Sequence, residues 1–249
     1  MKSNLYLFKS YFMKNQTIIH RSLMLTLALI ASTFVMAQVE VGVRAGLNLS
    51  TIHWKDADGR DISGVKRVPG FHAGLTFDIP VAPDFYIQPG ALFTTKGGEL
   101  REEASEVYWD ETYYSGEYTR LNAYYLEVPF NFIYKPQVGM GRLMVGAGPY
   151  VAYGLGGKYK DYYDGNITTD KLEFLNDWDD QSTNGDIQPY GKPLDFGLNV
   201  LGGYEFNNRF SVQLNAGIGL ANIEPDDAGR KPDLSMKNST VGVSLGYKF

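Results

Sequence analysis

Apolar residues recur at every second position along most of the chain after residue 37. In the first such segment, residues 39–50, valine, alanine and leucine occupy every odd position, and small, polar or charged residues occupy the even ones. This two-residue period is typical of a β-strand with one apolar and one polar face. The alternation returns in seven further segments: 71–79, 85–94, 124–134, 143–153, 195–204, 210–220 and 241–249.

The lengths and connections of these segments predict a barrel that crosses a membrane. Most have close to the roughly 9–11 residues that a tilted strand needs to span a bilayer. Short connections alternate with long ones, which lie at about 51–67, 97–118, 155–189 and 221–237. Such alternation is expected when the two ends of a barrel face different compartments. We predict an all-β fold, an eight-stranded antiparallel up-and-down transmembrane β-barrel, with a soluble barrel or sandwich as the alternative.

The first 37 residues have the features of a cleavable signal peptide. Lys14 and Arg21 precede an apolar stretch that ends in Val35-Met36-Ala37, which is the order of a charged region, an apolar region and a cleavage site. We predict cleavage after Ala37 and a barrel domain at residues 38–249, and the translation start is either Met1 or Met13. The expected location is the outer membrane of a Gram-negative bacterium.

Composition excludes several classes of function. The whole chain carries a formal net charge of -5, and the predicted mature part, with 19 basic and 28 acidic residues, carries -9. This acidity argues against nucleic-acid binding, which depends on clustered Lys and Arg. The absence of cysteine excludes a disulfide framework and a thiolate zinc site. We predict no cofactor and no metal site.

Five charged residues lie on the polar faces of the predicted strands and therefore point into the barrel. An eight-stranded barrel has an interior just wide enough for side chains, and buried charges must be paired or hydrogen-bonded. We predict a structural network of charges that fills the lumen; a proton path or catalytic carboxylates are the alternative. The five residues are Arg44, Asp78, Glu127, Asp195 and Lys248.

The long loops are rich in carboxylates and aromatic residues, which suit the binding of sugars, cations or protein partners. The alternative is a set of solvated loops without a dedicated ligand. The candidate binding residues are Trp109, Tyr113, Tyr114, Asp177, Trp178 and Asp179.

The last strand ends in Tyr247-Lys248-Phe249. A terminal phenylalanine with apolar residues at every second place before it resembles the signal that is read by the barrel assembly machinery of the outer membrane. We therefore expect Tyr247 and Phe249 to form an assembly signal.

Four patches of sequence resemble the PorT-like outer-membrane β-barrel family. The resemblance covers nearly all of the predicted mature chain, and the order and spacing of the patches are its most specific feature. It implies an integral outer-membrane barrel, and some members of that family serve a protein-secretion apparatus. The patches are Gly42–Ser50, Gly70–Leu75 with Tyr86–Phe93 and Lys96-Gly97, Tyr125–Phe130, and Asp195–Gly197 with Gly217–Ile223.

We therefore expect an outer-membrane barrel with a plugged lumen and long acidic, aromatic extracellular loops, which has a structural or binding role without catalysis. One alternative is an accessory component of a protein-secretion apparatus, and a lesser one is a barrel-embedded hydrolase or acyltransferase. The expected partners are outer-membrane lipids, the barrel assembly machinery, and a secretion-system or extracellular protein.

Overall fold

A computed structural model describes residues 39–249 apart from 62–63, 109–110, 164, 181–186 and 208, so the predicted signal peptide lies outside the described residues. The described part contains eight long strands. They are β1 (Glu40–Lys55), β2 (Val68–Ala82), β3 (Phe85–Tyr108), β4 (Glu111–Tyr134), β5 (Gly141–Tyr163), β6 (Leu194–Phe206), β7 (Phe210–Gly219) and β8 (Ser235–Lys248). Among the described residues, no helix has the length and apolar character needed to cross a membrane.

The eight strands form one closed antiparallel sheet. Each strand pairs with the next in the chain, and β8 pairs with β1 from Gly42 opposite Lys248 to Lys55 opposite Ser235. Closure leaves no free edge in the barrel wall, which satisfies the backbone hydrogen bonds that lipid cannot. The predicted eight-stranded barrel is confirmed.

The two faces of the wall differ as the alternation predicts. Large apolar side chains point outward, as Leu47 (68% exposed) and Phe132 (58% exposed) illustrate. Buried polar and charged side chains fill the inner face. An apolar exterior around a polar interior is the arrangement of a barrel surrounded by lipid.

The strands extend beyond the predicted segments on one side of the barrel. Residues 97–118 were expected to form a loop, and this expectation was wrong, because β3 and β4 stay paired as far as Tyr108 opposite Glu111. The segment Asn166–Glu173 continues the sheet on the far side of β5, and Val65–Lys66 pairs with β3. We call the part of the sheet formed by 97–108, 111–123, 156–163 and 166–173 the projecting sheet.

Polar residues lie on both faces of the strands of the projecting sheet, so hydrophobic periodicity does not reveal these strands. The remaining short elements are strands Gln137–Val138 and Ile187–Pro189 and a turn of 3-10 helix at Trp178–Asp180. The short turns, the start of β1 and the end of β8 lie at the end opposite the projecting sheet. Because the longer connections of such barrels usually face the outside of the cell, we expect the projecting sheet to be extracellular.

Candidate functional site

Four charged side chains meet inside the barrel at the end that carries the termini; we call them the terminal cluster. Lys135 Nζ pairs with Asp78 and lies 3.2 Å from Glu205 Oε2. Lys248 Nζ also pairs with Asp78 and lies 2.7 Å from Glu205. Two lysines thus face two carboxylates, and Lys248 Nζ also pairs with the more exposed Glu40 at 2.8 Å.

Lys135 and Glu205 were not among the predicted lumen residues. Lys135 directly follows the last residue of β4, and its side chain is 0% exposed. Every second residue of β4 and β6 points inward. The series Asn131, Ile133 therefore leads to Lys135, and Gly203 leads to Glu205. Extending the two-residue period beyond the last apolar residue would have found them.

A second group of charges, the central cluster, lies deeper in the lumen. Lys96 Nζ lies 2.9 Å from Glu127 Oε2 and 3.0 Å from Asp195 Oδ2. Asp195 is 0% exposed and accepts a further hydrogen bond from Asn238 Nδ2 at 3.1 Å. Lys96 also stacks over the ring of Tyr150, with 4.1 Å between Nζ and the ring centroid. The sequence indicated the two carboxylates and missed the lysine that joins them.

Arg44 lies between the two clusters without an ion pair to any described residue. Its guanidinium donates a hydrogen bond of 3.5 Å to Gln213, and Nε has no partner among the described residues. It lines a cavity of about 50 Å³ together with Glu127. The predicted charges therefore form two separate groups, with Arg44 between them, rather than one continuous network.

His72 lines the same cavity and contacts a buried serine. His72 Nε2 lies 2.7 Å from Ser244 Oγ, and Asn215 Nδ2 donates to the same hydroxyl at 2.6 Å. Both His72 and Ser244 are buried. The pair is enclosed by the barrel wall and by the central cluster.

A layer of apolar side chains covers the central cluster at the end that carries the projecting sheet; we call it the aromatic cap. Phe174 packs edge-on against Tyr125 and Tyr190, with ring centroids 5.2 and 5.4 Å apart. Ile223 and Met236 complete the layer, and both are fully buried. The connections after β5 and β7 therefore fold back over the opening.

Backbone hydrogen bonds hold the two connections of the cap together. Lys192 N donates to Ile223 O at 2.6 Å, and Ile223 N donates to Met236 O at 2.9 Å. Glu224 lies beside this layer and accepts a hydrogen bond of 3.3 Å from Trp54 Nε1. Burial disfavours its charged form and raises the pKa of Glu224.

The predicted binding residues do not form a single group. Asp177 accepts hydrogen bonds from the backbone amides of Asp179 at 3.0 Å and Gly229 at 2.6 Å. These bonds to its ionised form lower the pKa of Asp177. Asp177 thereby joins the two connections that form the cap, while Trp178 begins a turn of 3-10 helix.

The other three candidates belong to the hairpin of β3 and β4. Trp109 lies outside the described residues, and Tyr113 and Tyr114 lie on β4 opposite Glu106 and Ser105.

At the opposite end, the two predicted assembly residues are neighbours. The Tyr247 ring lies 5.4 Å from Phe249 and 4.9 Å from Phe210. Phe249 N donates to Val41 O at 2.9 Å, which ties the last residue to β1. The assembly role of Tyr247 and Phe249 stays a prediction.

A closed eight-stranded sheet with an apolar exterior and buried polar and charged side chains on its inner face defines an integral outer-membrane barrel. Sequence comparison agrees, since the family model of the outer membrane protein beta-barrel domain matches residues 31–224. The chain belongs to this family. No curated protein matches the chain.

Several solved structures are similar to this chain at low identity. One is Ail, the attachment invasion locus protein of Yersinia pestis, solved with the heparin analogue sucrose octasulfate. It has 15% identity and a TM-score of 0.35, and the match covers 85% of this chain and 99% of Ail. OprG from Pseudomonas aeruginosa has 14% identity and a TM-score of 0.40, over 84% and 95% of the two chains. Neisserial surface protein A has 12% identity and a TM-score of 0.39, over 84% and 97%.

Proposed function

We propose that this outer-membrane barrel does not conduct and does not catalyse a reaction, and that it holds a rigid extracellular surface for binding. The observation that carries this proposal is the filling of the lumen. From the terminal cluster to the aromatic cap, successive layers of paired charges and packed rings occupy the interior. Buried pairs resist the entry of water because separating them leaves uncompensated charges.

Planar bilayer recordings test the closed lumen. We expect the mature protein to give no steady single-channel current under conditions in which a porin, reconstituted in the same way, conducts. A steady current from the wild-type protein would overturn the proposal. Folding is checked on the same sample by the shift in gel mobility between heated and unheated protein.

The cleavable signal peptide belongs to the same proposal. Its support is the order of charged, apolar and small residues up to Ala37. Sequencing the N-terminus of the protein purified from membranes should give Gln38 as the first residue. A first residue within 1–37 would refute the proposed cleavage.

The resemblance to PorT-like proteins supports a second candidate, an accessory role in protein secretion. This role requires a stable partner among the components of a secretion apparatus. Crosslinking in intact cells and purification of the tagged protein would recover those components if the role is correct. Recovery of the barrel alone would favour the first proposal.

The contact between His72 and Ser244 is the observation that favours a hydrolase or acyltransferase. Its burial speaks against this role, because a substrate would have to pass the cap or the terminal cluster. Substitution of Ser244 by alanine should leave every measured esterase activity of the purified barrel unchanged. Loss of an activity with folding retained would support the enzyme instead.

A further inference from the structure

The outward face of the projecting sheet carries a group of basic residues. Leu121, Ala123 and Leu172 pack into or against the aromatic cap and therefore point toward the barrel axis. Residues next to them in these strands point the opposite way, because side chains alternate along a strand. The residues that point outward include Lys158, Lys160 and Lys171, which are all exposed, and Arg101 and Arg120.

The acidic residues of the same strands lie mainly on the other face. Asp161 accepts a hydrogen bond of 2.9 Å from Thr119 on the inward side, and Asp170 accepts one of 3.2 Å from Gln188. The chain as a whole is acidic, but the outward face of the projecting sheet is basic and its inward face is acidic.

Within residues 97–101, 117–123, 156–163 and 166–173, the outward face contains two carboxylates. Glu99 is shared between Arg101 at 2.9 Å and Arg120 at 2.5 Å. Glu173 lies at the edge of the face, at the end of its strand. Lys158, Lys160 and Lys171 form no ion pair with any described residue, so their charge is not neutralised by the protein that surrounds them.

The register places like charges directly opposite each other. Lys158 lies opposite Lys171, and Arg120 lies opposite Lys160. Like charges in facing positions destabilise a sheet. Two such pairs side by side on one exposed face become favourable when an external anion lies between them.

Lys158 and Lys171 lie at the height of the lipid headgroups. Tyr124 points outward, and its ring lies 5.8 Å from that of Phe93, in the band of aromatic residues that marks the membrane boundary. Asn122, opposite Lys158, lies two residues from Tyr124 in the direction of the projecting sheet. At the usual rise of a strand, this separates the two residues by about 7 Å. The headgroup layer is about 5–7 Å thick on each side, so Lys158 and Lys171 reach it and Lys160 lies just outside.

We propose that this face binds the phosphate groups of lipid headgroups in the outer leaflet of the membrane. The lysines supply exposed, unpaired positive charge at the depth where those phosphates lie, and long lysine side chains can extend along the wall to reach them. The inference depends on the outer-membrane fold and orientation, and it goes beyond the proposed role of the extracellular surface.

The decisive variant is the triple substitution K158Q/K160Q/K171Q in the full mature protein. The matched control is R60Q/R230Q/K231Q, which removes three exposed charges from extracellular connections away from this face. The probe is bisphosphorylated lipid A in neutral detergent micelles, and the measurement is its dissociation constant at low and high salt.

We expect the triple variant to bind the probe more weakly by on the order of a hundredfold, since each basic residue near an anionic surface contributes a substantial share of affinity. The control should change binding less than twofold, and the affinity of the wild-type protein should fall with added salt. Lipid A without phosphates should not bind. Equal losses in the two variants, or unchanged binding in the triple variant, would overturn the proposal.

Two further measurements keep the result interpretable. Competition by inorganic phosphate at the same concentration as the lipid would show a site for free phosphate and overturn the assignment to headgroups. In lipid-free detergent, K158Q should unfold at the same or a higher urea concentration than the wild type, because it removes a facing like charge. A lower midpoint would contradict the repulsion on which the inference rests.

Discussion

Substitution of Lys135 by methionine should destabilise the barrel strongly. Lys135 Nζ is fully buried and lies 3.2 Å from Glu205 Oε2, in addition to its pair with Asp78. At an effective dielectric constant of about 20, opposite unit charges at this distance attract by about 5 kcal/mol, much of which offsets the cost of removing the charges from water.

Methionine has a similar shape and no charge, so it leaves Asp78 and Glu205 with Lys248 as their shared partner. Breaking a buried pair typically costs about 3–5 kcal/mol. Because Lys248 remains within 2.7 Å of Glu205, we expect a loss near the lower limit, about 3 kcal/mol. Urea unfolding in lipid vesicles, followed by the gel shift of the folded barrel, measures this loss.

Lys192→Met is the matched control for this experiment. Lys192 Nζ lies 2.7 Å from Asp226, and both side chains are partly exposed, so its removal should cost less than about 1 kcal/mol. A double variant with Asp78→Asn tests the pairing directly, since the two single losses should not add. A loss below about 1 kcal/mol in Lys135→Met would refute the view that these charges stabilise the closed barrel.

Three further predictions concern the aromatic cap and the two connections that form it. The raised pKa of Glu224 means that the folded state holds its proton above the ordinary pKa of 4.5; stability is therefore greatest below that pH and falls as pH rises through the raised pKa. The measurement is the rate of proteolysis of the cap at a series of pH values. Glu224→Gln should remove this pH dependence, and a dependence that persists in the variant would contradict the prediction. Gly154→Ala places a methyl group against the ring of Phe174. We therefore expect faster proteolysis near residue 174. In the double variant with Phe174→Ala, the Gly154 substitution should not increase the rate of proteolysis further. The lowered pKa of Asp177 gives stability that is present above the ordinary pKa of 3.8 and is lost as pH falls through the lowered pKa; Asp177→Ala should speed amide exchange at Gly229, and unchanged exchange would exclude this link.

The strands of the barrel wall could be predicted from the sequence because the alternation of apolar and polar residues is visible within each strand. A strand between lipid and a polar lumen must alternate, so Leu47, Phe132 and their neighbours indicate both strand and direction. The charged interior was accessible by the same rule, as Asp78 and Asp195 illustrate.

The projecting sheet and the aromatic cap could not be predicted from this alternation. The strands near Tyr118 have polar residues on both faces, so no apolar period marks them. Phe174 and Tyr190 lie in connections, and only the folded chain brings them over Tyr125. The bulge near Gly154, where the register of β5 shifts, decides that Lys158 points outward and Asp161 inward rather than the reverse.

The terminal cluster also bears on how the barrel is built. Its members come from β2, β6 and β8 and from the end of β4, which are not neighbours in the ring. A sheet that has not closed would carry these charges without their partners, and such charges enter lipid at high cost. The pairing of these charges thus coincides with closure of the sheet, and we expect an incomplete barrel to enter the bilayer less readily than a closed one.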